Sequence, residues 1–285
     1  MKLIFKIFLL ISIIFVFSGC NLEKDIEIEI PEFENGYVVE SYVAPGQKFG
    51  LLITKSYGFF EVFDLVKTSE SLLQDVLVQN VEGYIMVNDI KYPLVNKISI
   101  SLDSTRVYNY VVQDKLTFKV QDKVELYLKF PDGETVGAST WIPEFRPVDS
   151  VRLAFDMRQD FDARETTFVS SDSTTTEYFR RQLFRYYEEG TSELQDFVFD
   201  NSLATGGRLA FGSGFEFNVG DTLISRITHI TEEYYRFFQS AVGSSNANTN
   251  PFTQPGRIES NIRGSDRVIG IFTGINPSEI LMRVE

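Results

Sequence analysis

Few side chains in this 285-residue sequence could carry out chemistry, and most of them read more simply as structure. A single histidine and a single cysteine exclude a Cys/His zinc site, a disulfide framework within the chain and any catalytic scheme that needs two histidines. A Ser-His-Asp arrangement would have to use His229. That residue falls in the alternating run Thr222 to Ile230, where Leu223, Ser225, Ile227 and His229 share one face, so a hydrogen-bonded structural histidine is expected. The acids Asp156, Asp160, Asp162 and Glu165 offer oxygens suited to calcium or to paired-carboxylate work. Their run lacks the glycine and the ligand spacing of an EF-hand, and Arg158 and Arg164 stand among them as partners, which points to a solvated loop. Gly206-Gly207 and Gly212-Ser213-Gly214 match neither a dinucleotide nor a P-loop fingerprint; they read as hairpin or bulge glycines. Sugar rings could stack on aromatic faces, but with one Trp beside 26 Phe and 13 Tyr, most at alternating strand positions, core packing is expected. The sequence thus predicts no catalytic residue, no metal site and no cofactor, and is read as a protein that is not an enzyme.

Cys20 differs because of where it stands. Met1 to Phe17 places Lys2 and Lys6 at the head of an apolar stretch running from Ile7 to Phe17 and broken only by Ser12, the layout of a secretory signal. The stretch is about 11 residues long, short of the roughly 20 that a membrane-spanning helix needs. It runs into Phe17-Ser18-Gly19-Cys20, an ending that resembles a bacterial lipobox. Phe17, Ser18 and Gly19 would be read by the signal peptidase, and the Cys20 thiol would carry the lipid; Phe17 departs mildly from the usual Leu or Val. Residues 1–19 are then a removable signal peptide. Acyl chains on Cys20, at ~0.8 kcal/mol per buried CH₂, would hold a soluble body at a membrane. Residues 20–36 follow as a tether in which Glu23, Asp25, Glu27 and Glu29 alternate with apolar neighbours. Period-two alternation also suits a first edge strand. The same acids resemble the surface-export signal of Bacteroidota lipoproteins, which leads to the outer leaflet of the outer membrane.

The body to be anchored is expected to be mainly β. Many aromatics with 19 Gly and 9 Pro favour strands and turns over a helical bundle. Strand patterns at Tyr37 to Val43, Phe49 to Thr54, Val81 to Val87, Val107 to Val112, Leu116 to Val120, Val124 to Phe130 and Thr135 to Ile142 are separated by turn signals such as Pro45-Gly46. They predict an N-terminal immunoglobulin-like β-sandwich over 37–143. Ser56 to Gln79 is less regular, with a short helix pattern near Ser69 to Leu73, and reads as an elaborated loop. Pro143 and Pro147 mark a joint. Beyond it a second β-rich part, 144–285, carries strand patterns at Val151 to Phe155, Tyr178 to Tyr187, Phe197 to Phe199, Thr222 to Ile230 and Val268 to Thr273. One short α-helix is expected near 231–242. Thr231 can cap it, Glu232 and Glu233 suit its positive end, and Tyr234, Phe237, Phe238 and Ala241 form one stripe. Gly243 to Gly256 reads as a Ser/Asn/Pro loop. A formal net charge of −13 and a pI near 4.7 exclude nucleic acid and anionic lipid surfaces as partners, because both require clustered Lys and Arg.

Several segments taken in order resemble one family. They are the lipobox with its acidic tether, Tyr37 to Val43, Gly137-Ala138-Ser139-Thr140-Trp141-Ile142-Pro143, Ile227 to Tyr235, and Asn250-Pro251-Phe252 followed by Ser260-Asn261-Ile262-Arg263-Gly264. Each is short, and order and spacing supply the specificity. The family is one of Bacteroidota lipoproteins whose domain has no assigned function and whose members are often encoded beside TonB-dependent receptors. Gly264-Ser265-Asp266-Arg267 stands where members often have a Gly-rich stretch. The resemblance supplies no catalytic residues. It implies an outer-membrane lipoprotein, facing the exterior, that acts as accessory binding subunit of a TonB-dependent receptor in ligand capture or uptake. Two other roles remain open from sequence: a structural subunit of an outer-membrane assembly or secretion complex, and a stand-alone glycan- or peptide-binding surface protein.

Overall fold

The computed structural model describes residues 36–56, 75–100, 106–114, 116–156, 163–187, 190–249 and 257–285. In chain order the strands are β1 (Tyr37–Val43), β2 (Gly50–Lys55), β3 (Glu82–Val87), β4 (Ile90–Ile100), β5 (Val107–Val112), β6 (Lys123–Lys129) and β7 (Thr135–Trp141). They continue as β8 (Val148–Phe155), β9 (Ala163–Ser170), β10 (Tyr178–Tyr187), β11 (Gly190–Asp200), β12 (Arg208–Gly212), β13 (Thr222–Ile230) and β14 (Val268–Arg283), with a helix α1 (Glu232–Thr249) between the last two. The protein is mainly β, as its composition predicts, and a sandwich describes it.

Eleven strands form one sheet in the order β11-β10-β13-β14-β1-β2-β5-β4-β3-β6-β7, and β12-β9-β8 form a second, smaller sheet. All pairings are antiparallel except β1 with β14, which run parallel from Tyr37↔Val268 to Val43↔Gly274. The large sheet curls back on itself. Its edge strand β7 meets β14, where the Gly274 amide donates to Thr140 Oγ1 (2.9 Å) and Gly137 exchanges backbone bonds with Arg263. Inside the curl lies one apolar core that includes Val39, Ile53, Ile85, Leu128 and Phe272.

The other end of the large sheet packs on the small sheet. Phe179, Phe199 and Ile227 meet Val148, Val169 and Leu209 there, beside a second cluster of Leu183, Leu223, Ala163 and Phe217. Helix α1 covers part of the opposite face through Tyr234, which joins Ala44, Ile230, Ile271 and Ile275. Thr231 caps the helix as its sequence predicts, its Oγ1 accepting from the Tyr234 amide (3.3 Å). The helix extends to Thr249, so 243–249, expected as loop, are helical. Among the described residues no helix is long and apolar enough to cross a membrane.

Glu34–Glu285 make one compact unit. The proline joint lies inside it and is pinned to the large sheet. Asn276 Nδ2 donates to the Pro143 carbonyl (2.9 Å), and the Val148 amide donates to Ser278 Oγ (2.9 Å). Leu116 to Val120, expected as a strand, is not one. The Lys119 amide donates to Asp122 Oδ2 (2.7 Å) and the Gln121 amide to the Ile142 carbonyl (2.8 Å), so the segment becomes a turn that delivers Phe118 to the core. The helix pattern at Ser69 to Leu73, the signal peptide and the acidic tether lie outside the described residues.

Candidate functional site

Alternation along β10 and β13 gives each strand two unlike faces. Phe179, Arg181 and Leu183, with Ser225, Ile227 and His229, point to the small sheet. Arg180, Gln182 and Phe184, with Arg226 and Thr228, point the other way, where α1 covers only one end. Strand register then builds cross-strand rows. Gln182 pairs with Asp196 of β11 on one side and with Arg226 of β13 on the other, and Arg226 pairs with Glu279 of β14. The next row runs Val198, Arg180, Thr228, Pro277. A polar floor thus spans four strands whose opposite face is buried against the small sheet.

The end of the first half forms the wall. Two adjoining hollows of about 400 and 410 Å³ share Arg106, Tyr108, Arg180, Gln182 and Arg226, and each falls within the ~300–1,000 Å³ typical of ligand pockets. Together they make one groove between the halves. Its charged groups are held by partners. Arg180 donates Nε and Nη2 to the two carboxylate oxygens of Asp196 (2.6 and 2.5 Å) and Nη1 to Tyr234 Oη (2.7 Å). Arg226 donates Nε and Nη2 to Glu279 Oε2 (2.8 Å each). Gln182 Nε2 donates to Glu193 Oε2 (3.1 Å). Each arginine also lies over a ring: Arg106 over Tyr42 at 4.1 Å, Arg180 over Phe238 at 5.1 Å and Arg226 over Phe184 at 5.3 Å.

Burial shapes the titration of these groups. It pushes the Glu40 carboxyl up against the opposing pull of Arg106. Burial likewise raises the Tyr42 and Tyr234 hydroxyls, which therefore remain protonated donors. Burial pulls the Arg180 guanidinium down, yet its bonds to Asp196 and the neighbouring tyrosines leave it held above its ordinary value. The cations Lys48, Arg106, Arg180 and Arg226 are matched by Glu40 in the wall and by Glu193, Asp196 and Glu279 on the floor strands. The groove is polar without being strongly charged.

Of the residues singled out by sequence, those that the structure describes lie elsewhere. Cys20, Phe17, Ser18, Gly19, Glu23, Asp25, Glu27 and Glu29 lie outside the described residues, as do Arg158, Asp160 and Asp162. His229 is buried against the proline joint, its Nδ1 bonded to the Glu144 carbonyl (2.8 Å) and its ring stacked on Phe179, so the structural reading of it stands. Glu165 is a correction. It is not in a solvated loop but on β9, fully buried, where Arg181 Nη2 donates to its Oε2 (2.8 Å). Gly206 and Gly207 both have positive φ (61° and 73°) in the turn before β12, as hairpin glycines should. Among the described residues no group of three or more His, Cys, Asp or Glu could hold a metal ion.

Sequence reasoning placed a strand at Tyr178 to Tyr187 without finding the groove. Parity gave little signal: Arg181 stands between Arg180 and Gln182, and Ser225 and His229 flank Arg226 and Thr228, so neither strand alternates cleanly between polar and apolar.

A protein-family model matches residues 23–280: a domain of unknown function, DUF4249. No protein with a curated description matches the chain.

Proposed function

This chain belongs to the DUF4249 family, and from that premise we propose that it is a lipid-anchored outer-membrane protein of Bacteroidota type, facing the cell exterior, which serves as accessory binding subunit of a TonB-dependent receptor. The observation that carries the reading is the position of the sole cysteine, at the end of a signal-like apolar stretch and just after Phe17-Ser18-Gly19. The acids that follow support export to the surface. The groove supports a binding role rather than a purely structural one: it is open, of ligand size, and its side chains are fixed before any ligand arrives, which lowers the ordering cost of binding.

The test is a mild-detergent pull-down of the full chain from its own cells, with a Cys20→Ala strain as control. Recovery of one TonB-dependent receptor in stoichiometric amount, lost in the Cys20→Ala strain, is the expected result. Recovery of an assembly or secretion complex, or of no β-barrel protein at all, would overturn the receptor role.

A further inference from the structure

We propose that the groove takes a neutral, hydroxyl-rich ligand, a saccharide, recognised by the fixed arginine–carboxylate pairs on its floor. The inference rests on the groove being the capture site of the anchored protein and adds the chemical class of what it captures.

Charge balance is the first argument. Arg180 and Arg226 are each already engaged by a carboxylate, and Glu40 and Glu193 offset the remaining cations Lys48 and Arg106. An anionic ligand would meet arginines whose charge Asp196 and Glu279 already neutralise, so its desolvation would go largely uncompensated. A cation would face the same penalty from the arginines.

The second argument concerns geometry. A guanidinium held from one side keeps donors free on the other, and a carboxylate oxygen that accepts from arginine retains further acceptor capacity. Such planar pairs present donors and acceptors side by side, the complement of adjacent hydroxyls, each of which donates and accepts. Gln182 and the Tyr42 and Tyr234 hydroxyls extend the same mixed pattern. Phe184, Ile275 and Pro277 supply apolar surface for the C–H faces of a sugar ring.

The third argument separates a saccharide from a peptide. Extended peptides add to a free sheet edge, and helical ones need an apolar groove. Here the floor is the face of strands flanked by neighbours in the sheet, the edges of the large sheet are β7, partly covered by Arg263 and β14, and β11, and the floor is polar.

The full chain, kept in a detergent without sugar head groups, would be titrated with a panel of neutral oligosaccharides, a matched panel of uronic-acid oligosaccharides, and a tryptic peptide digest. The proposal expects a neutral oligosaccharide to bind with a Kd that changes less than ~2-fold from low to high salt, as screening leaves neutral ligands untouched. Arg226→Ala combined with Glu279→Ala removes one pair without altering net charge, and should weaken binding about 10-fold, roughly 1.4 kcal/mol. Gln182→Ala, with the melting temperature checked, is the second variant and should lower affinity in the same direction. Binding of uronates or peptides alone, weakened by the same variants, would overturn the saccharide while leaving the groove as the site. Neutral-sugar binding that ignores both variants would overturn the groove, and no binding by any panel member would overturn the proposal. None of these outcomes depends on whether a receptor is recovered in the pull-down.

Discussion

The most consequential single residues for stability are not in the groove but beneath it. Arg181 and Glu165 are both fully buried between the sheets. Arg181 Nη1 reaches Ser225 Oγ (2.7 Å) and the Gln182 carbonyl (2.9 Å), and Thr167 bonds both Glu165 and Ser225. Burial outweighs attraction on both sides of the pair, pushing the Glu165 carboxyl up and the Arg181 guanidinium down. Glu165→Ala should therefore cost about 3–5 kcal/mol in urea unfolding, because it strands a buried guanidinium. Glu165→Met with Arg181→Leu should recover most of that loss; a double variant no better than the single one would refute a pair held by mutual compensation. His229 gives a separate pH prediction. Burial holds its imidazole below the ordinary value, with Arg146 adding to the effect and the Glu144 carbonyl bond, Glu177 and Glu144 opposing it. A depressed base binds more protons when unfolded, so its contribution is complete above about pH 6.5 and is lost as pH falls through the lower folded value. The stability difference between wild type and His229→Gln should shrink on acidification through that window, measured by urea midpoint at each pH; a constant difference would remove the histidine as its cause. His229 was legible because its neighbours alternate. Glu165 was not, since the inward row of β9 is Ala163, Glu165, Thr167 and Val169, half of it polar, which masks the period-two signal.

At the level of elements, β1, β5, β10 and β13, rich in β-branched and aromatic residues, were legible to their ends, and so was the capped start of the helix, though not its end at Thr249. Two of the strands that sequence missed or cut short, β4 and β14, contain proline, whereas β8, β9, β11 and β12 were missed or cut short without one. Pro93 lies in β4 at the position paired with Tyr84, one residue before pairing with β5 begins at Leu94↔Val112. Pro277 lies in β14 opposite Thr228, beyond Val43, where β1 has ended. In both cases one side of the strand is bare, the setting in which a strand tolerates a missing N–H. The local pattern cannot reveal this, because the missing neighbour is set by topology. Glycine in β14 has its own cause. A Cβ at Gly274 would overlap the Trp141 carbonyl, so the residue sets how closely β14 and β7 approach. Gly274→Ala should lower stability by more than ~3 kcal/mol, since backbone on both sides must move. Gly46→Ala, at φ +73° with nothing within 4 Å of the added carbon, should cost only about 1–2 kcal/mol. Urea midpoints for the two variants would compare them directly, and equal losses would show that the β7–β14 approach is not tight.

For the whole molecule, β14 decides whether the halves behave as one. Its first seven residues pair with β1 and line the first core, while the rest pair with β13 and back the second. Strands more than two hundred residues apart in sequence are thereby joined, a closure that no local window of sequence displays, although the proline joint itself was legible. The joint adds further ties through Asn276, Ser278 and His229. Unfolding either half would strip one side of β14 and expose apolar surface of the other half, so partial unfolding is penalised and a single cooperative transition is expected. The comparison needs a probe in each half. Trp141, the only tryptophan, sits on β7 at one end of the large sheet and reports the first half by fluorescence. Hydrogen exchange of peptides from β10 and β13, read by mass spectrometry across a urea series, reports the second. Coincident midpoints are the expected result, and both should shift together in Gly274→Ala, which touches only the first half directly. If β10 and β13 lose protection at lower urea than Trp141 changes, the second half opens on its own. The groove, walled by one half and floored by the other, would then be lost before the first core melts, and a ligand bound there should restore coincidence by stabilising only the closed arrangement.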